Sequence, residues 1–290
     1  MLIQRLSIIG VGLIGASLAS GLRKAGECNE VIGCGRGVEN LRTAVELGII
    51  DRYYHDPVAA VQDADIVIIA VPIGAIGKIF KTINNALAPK AIITDVGSTK
   101  LSVINDAKQY LTQHLPYFIP GHPIAGSEKS GVTAFNPNLF NNNKVILTSL
   151  PENEASATSL VQNMWEIVGA KVINMQASHH DQLLAATSHL PHLLAYSLVN
   201  TLAKMDSKTE IFQLAAGGFR DFTRIASSDP QMWHDICLSN QDAILQMLEL
   251  FNSDLNQLIT AIQQKDSEQI EAIFSHAKAT RDELIAPQNR

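Results

Sequence analysis

The sequence is poor in three features that would place it in common protein classes. Its three cysteines are too few and too irregularly spaced for a disulfide framework or a metal site. Acidic residues outnumber basic ones by 28 to 22, which argues against a nucleic-acid partner. The longest aliphatic run, residues 66–71, is far too short to cross a bilayer. Because no signal peptide is visible before the first strand, we expect a cytoplasmic protein with no membrane or nucleic-acid partner.

The start of the chain carries the strongest local signal. An apolar run at residues 6–9 predicts a buried strand, and it is followed by G-x-G-x-x-G and a helical pattern from Ala16 to Lys24. A strand, a glycine turn and a helix in this order are the context in which the motif binds a dinucleotide, rather than serving only as a structural turn. The first glycine allows the tight turn, the second lets the backbone approach a pyrophosphate, and the third lets the helix lie close to the strand. These are Gly10, Gly12 and Gly15. The free N–H groups at the helix start, at Leu13 and Ile14, then face the phosphates.

The residues after the second predicted strand bear on the choice between NAD and NADP. An NAD site usually has an acidic residue there, which binds the ribose 2′-hydroxyl. Here that position is Gly35, followed by Arg36. Glycine removes a carboxylate that would repel a 2′-phosphate, and arginine can bind the phosphate, so NADP is favoured. Two alternatives stay open: Glu39 could reach the ribose of NAD, or Arg36 could only stack on the adenine.

The pattern of elements divides the chain in two. Strands and helices alternate through residue 175, which predicts an α/β, doubly wound, Rossmann-type domain over residues 1–175. No strand-like run follows, so residues 176–290 are predicted to form an all-α domain with a loop at Gly217-Gly218. Its long helices are expected at 178–203, 230–251, 253–264 and 267–285. Apolar residues surround much of these helices, which favours a homodimer interface over a compact core.

Polar residues follow several predicted strands, where doubly wound sheets bind their ligands. Val71 and Pro72 end one strand and are expected on the cofactor side. Ser98 follows another strand and is either the N-cap of the next helix or a functional hydroxyl. His122 directly follows a third strand, in the loop at its end, and this position favours function over a buried structural histidine.

The helical region adds two further motifs. His189 and His192 are three residues apart and share a helix face, but as a metal pair they lack a clear third ligand. The histidine pair at 179–180 is expected at a helix start on the surface. The second motif brings Arg224 and Asp221 together among aromatic residues, either in a charged loop or in a substrate site. An arginine there could hold a carboxylate in a bidentate fork.

Together these motifs resemble the prephenate dehydrogenase family of tyrosine biosynthesis, which includes arogenate dehydrogenase. They are GVGLIG, DVGSTK, GHPIAGSEKSGV, SHLPH and GGFRDFTRIASSDPQMW, in this order over nearly the whole chain. The resemblance implies a Rossmann domain followed by a helical dimerisation domain, with no room for the chorismate mutase or regulatory domains of some relatives. It implies NAD(P)-dependent oxidative decarboxylation of prephenate to 4-hydroxyphenylpyruvate. The alternative substrate is arogenate, which would give tyrosine directly.

The resemblance also implies roles for individual residues. His122 takes the proton of the substrate's ring hydroxyl, Ser98 bonds that histidine and the hydroxyl near the nicotinamide, and Arg224 binds a substrate carboxylate. Asp221 supports the arginine. The other implied pocket residues are His189, His192, Ser127, Glu128, Gly217 and Trp233.

Two other functions were compatible with the glycine turn. A β-hydroxyacid dehydrogenase would use a lysine base in a glycine-rich K-x-x-N context, which Lys204 lacks. A non-catalytic dinucleotide sensor would need the glycine turn, but it would not need His122, Ser98 and Arg224 together.

Overall fold

The computed structural model describes residues 3–126 and 131–284. The chain divides into two compact units, residues 1–241 and residues 242–290. The described strands are β1 (Ile3–Ile9), β2 (Cys28–Cys34), β3 (Arg52–Tyr54), β4 (Ile66–Ile69), β5 (Ile92–Asp95), β6 (Phe118–Ile119), β7 (Gly121–Ile124), β8 (Lys144–Leu147) and β9 (Lys171–Asn174). All of them belong to the first unit.

The described helices follow the same chain order. Those of the first unit are α1 (Leu13–Lys24), α2 (Val38–Glu46), α3 (Pro57–Val61), α4 (Ile73–Ile83), α5 (Leu101–Tyr110), α6 (Ala155–Ile167), α7 (Ala177–Leu184), α8 (Leu190–Ala203), α9 (Lys208–Gln213), α10 (Gly217–Thr223) and α11 (Pro230–Ser239). The second unit is formed by α12 (Gln241–Gln264) and α13 (Ser267–Leu284).

Six parallel strands form the main sheet, in the order β3-β2-β1-β4-β5-β6. The central strand β1 lies between β2 and β4, with Leu6 opposite Val31 on one side and Ile66 on the other. All four residues of β4 are buried, as expected for a parallel strand covered on both faces. The strand order reverses between β1 and β4, and ligands of this fold bind at that point. The predicted Rossmann-type architecture is confirmed.

The last three strands do not extend this sheet. They form a separate sheet in which β7 is antiparallel to β8 and β8 is parallel to β9. The alternating pattern had predicted a continuation of the doubly wound arrangement through residue 175. The change occurs at Pro120, between β6 and β7, which has no N–H group to donate to a continuing ladder. The chain therefore turns there, and β7 pairs with β8 instead.

Residues 177–203 are helical throughout, as the sequence predicted, but not uniformly so. A π-helical segment, Ala185–His189, joins α7 to α8. Such a segment adds a residue to one turn and rotates the side chains that follow it, and it often lies at a functional site. Here it presents His189 toward the interior, where 1% of its surface is exposed.

Three predicted helix boundaries are wrong. The helix expected at 230–251 is divided at Asn240, because α11 ends at Ser239 and α12 begins at Gln241. Gly217 and Gly218 were expected to form a loop, but they begin α10. Glycine is unfavourable inside a helix. At the first positions of a helix, however, the residues that follow the glycines can still form it. A break was also expected at 251–253, but α12 continues through it because apolar residues recur at helical spacing on both sides.

The second unit exposes an unusual amount of apolar surface. Its exposed large side chains are Leu245, Leu250, Phe251, Leu255, Ile259, Ile262, Phe274 and Leu284. Apolar patches of this kind usually mark an interaction surface. None of the helices in the two described ranges combines the length and apolar character needed to span a membrane.

Candidate active site

The glycine turn has the geometry that a dinucleotide phosphate requires. Gly10 has a φ of +103°, and a Cβ on it would overlap the carbonyl oxygen of Ala70, which directly follows β4. A Cβ on Gly12 would meet no atom within 4 Å, so the space beside this backbone is open to a ligand. Gly15 packs against Ile8 and the carbonyl of the first glycine. The helix α1 that follows has no side-chain cap, so its first N–H groups are available. These residues fit a bound pyrophosphate.

The predicted adenosine side of the site is open. Arg36 follows β2, is exposed, and has no hydrogen bond or ion pair with any described residue. Glu39, the alternative ribose ligand, forms an ion pair with Arg42 (3.4 Å). Val71 and Pro72 connect β4 to α4, and β4 lies next to β1, so both lie near the glycine turn.

His122 lies in a strand rather than in the loop that the sequence predicted. It is the second residue of β7, opposite Ile146 of β8, and 8% of its surface is exposed. The loop prediction failed because the strand before it is only two residues long and the second sheet starts at once. The Nδ1 atom of His122 lies 2.8 Å from Nε2 of His180. Its Nε2 atom has no hydrogen-bond partner among the described residues.

Ser98 is not a helix cap. It follows β5 and is half-buried, but α5 begins three residues later and its N-cap residue is Lys100. The N–H groups of Lys100 and Leu101 are capped instead by the carboxylate of Asp181, at 2.8 and 2.9 Å. The hydroxyl of Ser98 has no hydrogen bond to a described residue, including His122. It is therefore available to a ligand.

The buried His180 contradicts the prediction that residues 179–180 start a helix on the surface. His179 is exposed, but His180 is completely buried and its Nδ1 lies 2.7 Å from Oδ1 of Asp181. Neither residue of this pair was predicted to belong to the site. A signal was present, because Leu184 is four residues beyond His180 and apolar spacing places both on the inner face of α7.

A buried ion pair, also missed, fixes the backbone next to His122. The ammonium group of Lys100 donates to the carboxylate of Asp95 and to the carbonyl oxygen of Gly121 (2.6 Å). The same carboxylate accepts the N–H groups of Gly97 (2.8 Å) and Gly121 (3.2 Å). Both side chains are 0% exposed. The pair thus joins the end of β5 to the start of β7.

A second cluster contains three of the predicted pocket residues. His189 accepts a hydrogen bond at Nδ1 from Asn240 (3.2 Å), and His192 stacks on Trp233 with ring centroids 3.9 Å apart. The Nε2 atom of His189 and the indole N–H of Trp233 are buried without a described partner. Burial lowers the pKa of His189 to about 4, so this ring is neutral. Because Nδ1 accepts the hydrogen bond from Asn240, the proton of the ring is on Nε2. Two unsatisfied donors in one buried cluster can bind a ligand oxygen.

The remaining predicted substrate residues are less closely linked to these clusters. Gly217 begins α10, Asp221 is exposed on that helix, and Arg224 is exposed where a 3₁₀ turn follows it. Ser127 and Glu128 lie outside the described residues.

Comparison with known proteins places the whole chain in one family. A family model described as "Prephenate dehydrogenase, nucleotide-binding domain" matches residues 18–174, and one described as "Prephenate dehydrogenase, dimerization domain" matches residues 176–276. The chain is 39% identical to a prephenate dehydrogenase of Lactococcus lactis, covering 97% of this chain and 77% of that one. It is 37% identical to a cyclohexadienyl dehydrogenase of Zymomonas mobilis, covering 96% and 95%.

A solved structure gives the same result. The crystal structure of prephenate dehydrogenase from Aquifex aeolicus, in complex with hydroxyphenyl propionate and NAD+, matches with a TM-score of 0.91 and 37% identity. The match covers 97% of this chain and 98% of that one. The fold described above is therefore the fold of that protein.

Proposed function

The chain belongs to the prephenate dehydrogenase family, and from this premise we propose that it converts prephenate to 4-hydroxyphenylpyruvate by NAD(P)-dependent oxidative decarboxylation. The reaction belongs to tyrosine biosynthesis, and we assign it to the cytoplasm. The observation that carries the proposal is the position of His122. It is a buried histidine whose Nε2 atom has no hydrogen-bond partner among the described residues, in the same unit as an open dinucleotide turn. Arogenate is the alternative substrate, because one relative is named a cyclohexadienyl dehydrogenase.

The chemistry needs a base, an orienting group and a carboxylate ligand. A bound nicotinamide dinucleotide supplies the acceptor for the hydride that leaves C4 of the cyclohexadienyl ring. The Nε2 atom of His122 accepts the proton of the C4 hydroxyl as the carbonyl forms. The C1 carboxylate leaves as carbon dioxide, and the electrons of the broken bond make the ring aromatic. The ring oxygen then takes back the proton from His122 to give the phenol. The hydroxyl of Ser98, which has no hydrogen bond to a described residue, orients the substrate hydroxyl and the histidine.

Binding of the substrate is assigned to the helical region. Arg224 binds a substrate carboxylate, because its planar guanidinium can donate two parallel hydrogen bonds. The unsatisfied donors of His189 and Trp233 bind the oxygens of the substrate's side chain. The remaining residues assigned to this pocket by resemblance are His192, Ser127, Glu128, Gly217 and Asp221.

The electrostatics of His122 lead to a prediction about pH. Burial lowers its pKa well below the usual 6.5, and the electrostatic interactions with His180, Lys100 and His189 lower it further. The base must be unprotonated, so activity is lost only as the pH falls through this lowered pKa. We expect kcat/KM for prephenate to stay constant from pH 8 down to pH 6.5 and to decline below it. A one-proton loss of kcat/KM centred at or above pH 6.5 would contradict the assignment.

The preference for NADP is a further prediction. The guanidinium of Arg36 is exposed and has no partner among the described residues, so it is available to a 2′-phosphate, whereas Glu39 forms an ion pair with Arg42. A charge-assisted hydrogen bond contributes about 1.5–3 kcal/mol, so Arg36→Ala should lower kcat/KM for NADP about tenfold to a hundredfold. The value for NAD should change little. A wild type that prefers NAD, or equal losses with both cofactors, would overturn this role.

The proposal includes a homodimer formed by the helical region, with the domain boundary at residues 175–176. The exposed apolar side chains of α12 and α13 support it, and so does the description of the family model that matches residues 176–276. Light scattering should give about twice the 31.5 kDa mass of one chain at micromolar concentration. A mass of 31.5 kDa would contradict it.

Turnover with three substrates tests the proposed function. Reduction of the dinucleotide, followed at 340 nm, is expected with prephenate or arogenate and not with 3-hydroxyisobutyrate. Reduction with 3-hydroxyisobutyrate alone would identify a β-hydroxyacid dehydrogenase. No reduction with any of the three would favour a dinucleotide sensor.

A further inference from the structure

Three buried side chains form a line that ends at the proposed base. Oδ1 of Asp181 lies 2.7 Å from Nδ1 of His180, and Nε2 of His180 lies 2.8 Å from Nδ1 of His122. The exposed fractions are 1%, 0% and 8%. The two imidazole rings meet edge to face, with centroids 5.1 Å apart. Only the far end of the line, Nε2 of His122, has no described partner.

The first member of the line is held firmly. The N–H groups of Lys100 and Leu101 donate to Oδ1 and Oδ2 of Asp181, and the side chain of Asn240 donates to its backbone carbonyl (2.9 Å). These two N–H groups open the ten-residue helix α5, whose positive end stabilises a carboxylate. Asp181 is therefore fixed in place as an acceptor of hydrogen bonds.

The direction of every proton along the line follows from this anchor. Because both oxygens of Asp181 accept hydrogen bonds from the backbone, the neighbouring Nδ1 of His180 must carry a proton and donate it. In a neutral ring the other nitrogen is then an acceptor. Nε2 of His180 thus accepts from Nδ1–H of His122, which leaves the lone pair of His122 on Nε2. The opposite arrangement would put two donors, or two lone pairs, face to face at 2.8 Å.

We propose that His180 and Asp181 are positioning residues that hold His122 in the one neutral tautomer able to accept the substrate's proton at Nε2. The inference rests on the proposed role of His122 as the base. When His122 takes up the proton, the resulting imidazolium is connected by hydrogen bonds through His180 to the buried carboxylate of Asp181. Two other titratable groups interact with His122: Lys100 is paired with Asp95, and the neutral His189 accepts a hydrogen bond from Asn240.

Two substitutions of His180 separate tautomer selection from simple packing. Phenylalanine fills the space but accepts no hydrogen bond, whereas the glutamine side chain can place an oxygen near the position of Nε2. We expect His180→Phe to lower kcat by about tenfold to a thousandfold with little change in KM. His180→Gln should recover at least about tenfold of that loss. His179→Phe, at the exposed neighbour on α7, is the matched control and should keep the wild-type kcat.

The tautomer itself can be observed without any substrate. In protein labelled with ¹⁵N-histidine, correlations between ring nitrogens and carbon-bound protons distinguish Nδ1–H from Nε2–H, and the signals lost in His122→Asn identify His122. We expect Nδ1–H in the wild type and in His180→Gln, and an increased Nε2–H population in His180→Phe. An Nε2–H tautomer in the wild type, or wild-type kcat in His180→Phe, would overturn the proposal. If His122→Asn keeps its activity, the proposed function fails instead, while the tautomer measurement still stands.

Discussion

Replacing His122 by asparagine is expected to lower kcat by about 10²–10⁴-fold, the usual contribution of a general base. Asparagine reaches only as far as Nδ1 of the imidazole, so its amide can still donate to Nε2 of His180. The Nε2 atom of residue 122, which we assign to proton transfer, is lost. Because the glycine turn is remote from β7 in sequence, binding of the dinucleotide should be nearly unchanged. The kcat is measured from dinucleotide reduction at 340 nm, and the dissociation constant from a fluorescence titration.

The control for this substitution is a buried histidine outside the site. His114 follows α5, is 6% exposed, and also has a pKa lowered by burial. His114→Asn should therefore report any general cost of placing an amide in the interior, and its kcat should remain that of the wild type. If His122→Asn turns over prephenate at the wild-type rate, the assignment of the base is wrong.

Replacing Lys100 by methionine is expected to lower the free energy of unfolding by about 3–5 kcal/mol. The change would leave the carboxylate of Asp95 buried at 0% exposure with no cation beside it, and the carbonyl of Gly121 without a donor. Breaking a buried pair from one side is costly because the remaining charge keeps its desolvation penalty. Urea titration of both proteins gives the difference.

Two further variants show whether charge is the cause. Lys108→Met removes an exposed lysine from the same helix, α5, and should change the free energy of unfolding by less than about 0.5 kcal/mol. Combining Lys100→Met with Asp95→Asn removes both charges and should recover part of the lost stability. A Lys100→Met protein as stable as the Lys108→Met protein would show that the buried pair does not hold β5 and β7 together.

The fold could be predicted because its signals are local and periodic. The glycine turn, the buried run that became β4 and the loss of strand patterns after residue 175 each depend on neighbours in sequence. The misplaced boundaries depend instead on context. Gly217 begins a helix because of the residues that follow it, and β7 joins a second sheet because Pro120 interrupts the ladder.

The candidate site was predicted only in part. His122 and Ser98 follow strands, so their positions could be found from the pattern of elements. The partners of His122 could not be found in this way, since His180 is 58 residues away, and Asp181 meets the start of α5 across 81 residues. The burial of Lys100 was not predicted, because lysine is almost never fully buried unless it is paired. Its pairing with Asp95 could be identified only from the structure.

The proposed reaction is tested most directly by the stoichiometry of a single incubation with prephenate and NADP. The reduced dinucleotide is measured at 340 nm, carbon dioxide is trapped, and the ring product is identified by mass spectrometry. We predict one reduced dinucleotide, one carbon dioxide and one 4-hydroxyphenylpyruvate for each prephenate consumed, with all three formed about 10²–10⁴-fold more slowly by His122→Asn. The account is contradicted if the dinucleotide is reduced without release of carbon dioxide. It is also contradicted if neither prephenate nor arogenate leads to reduction of NADP or NAD.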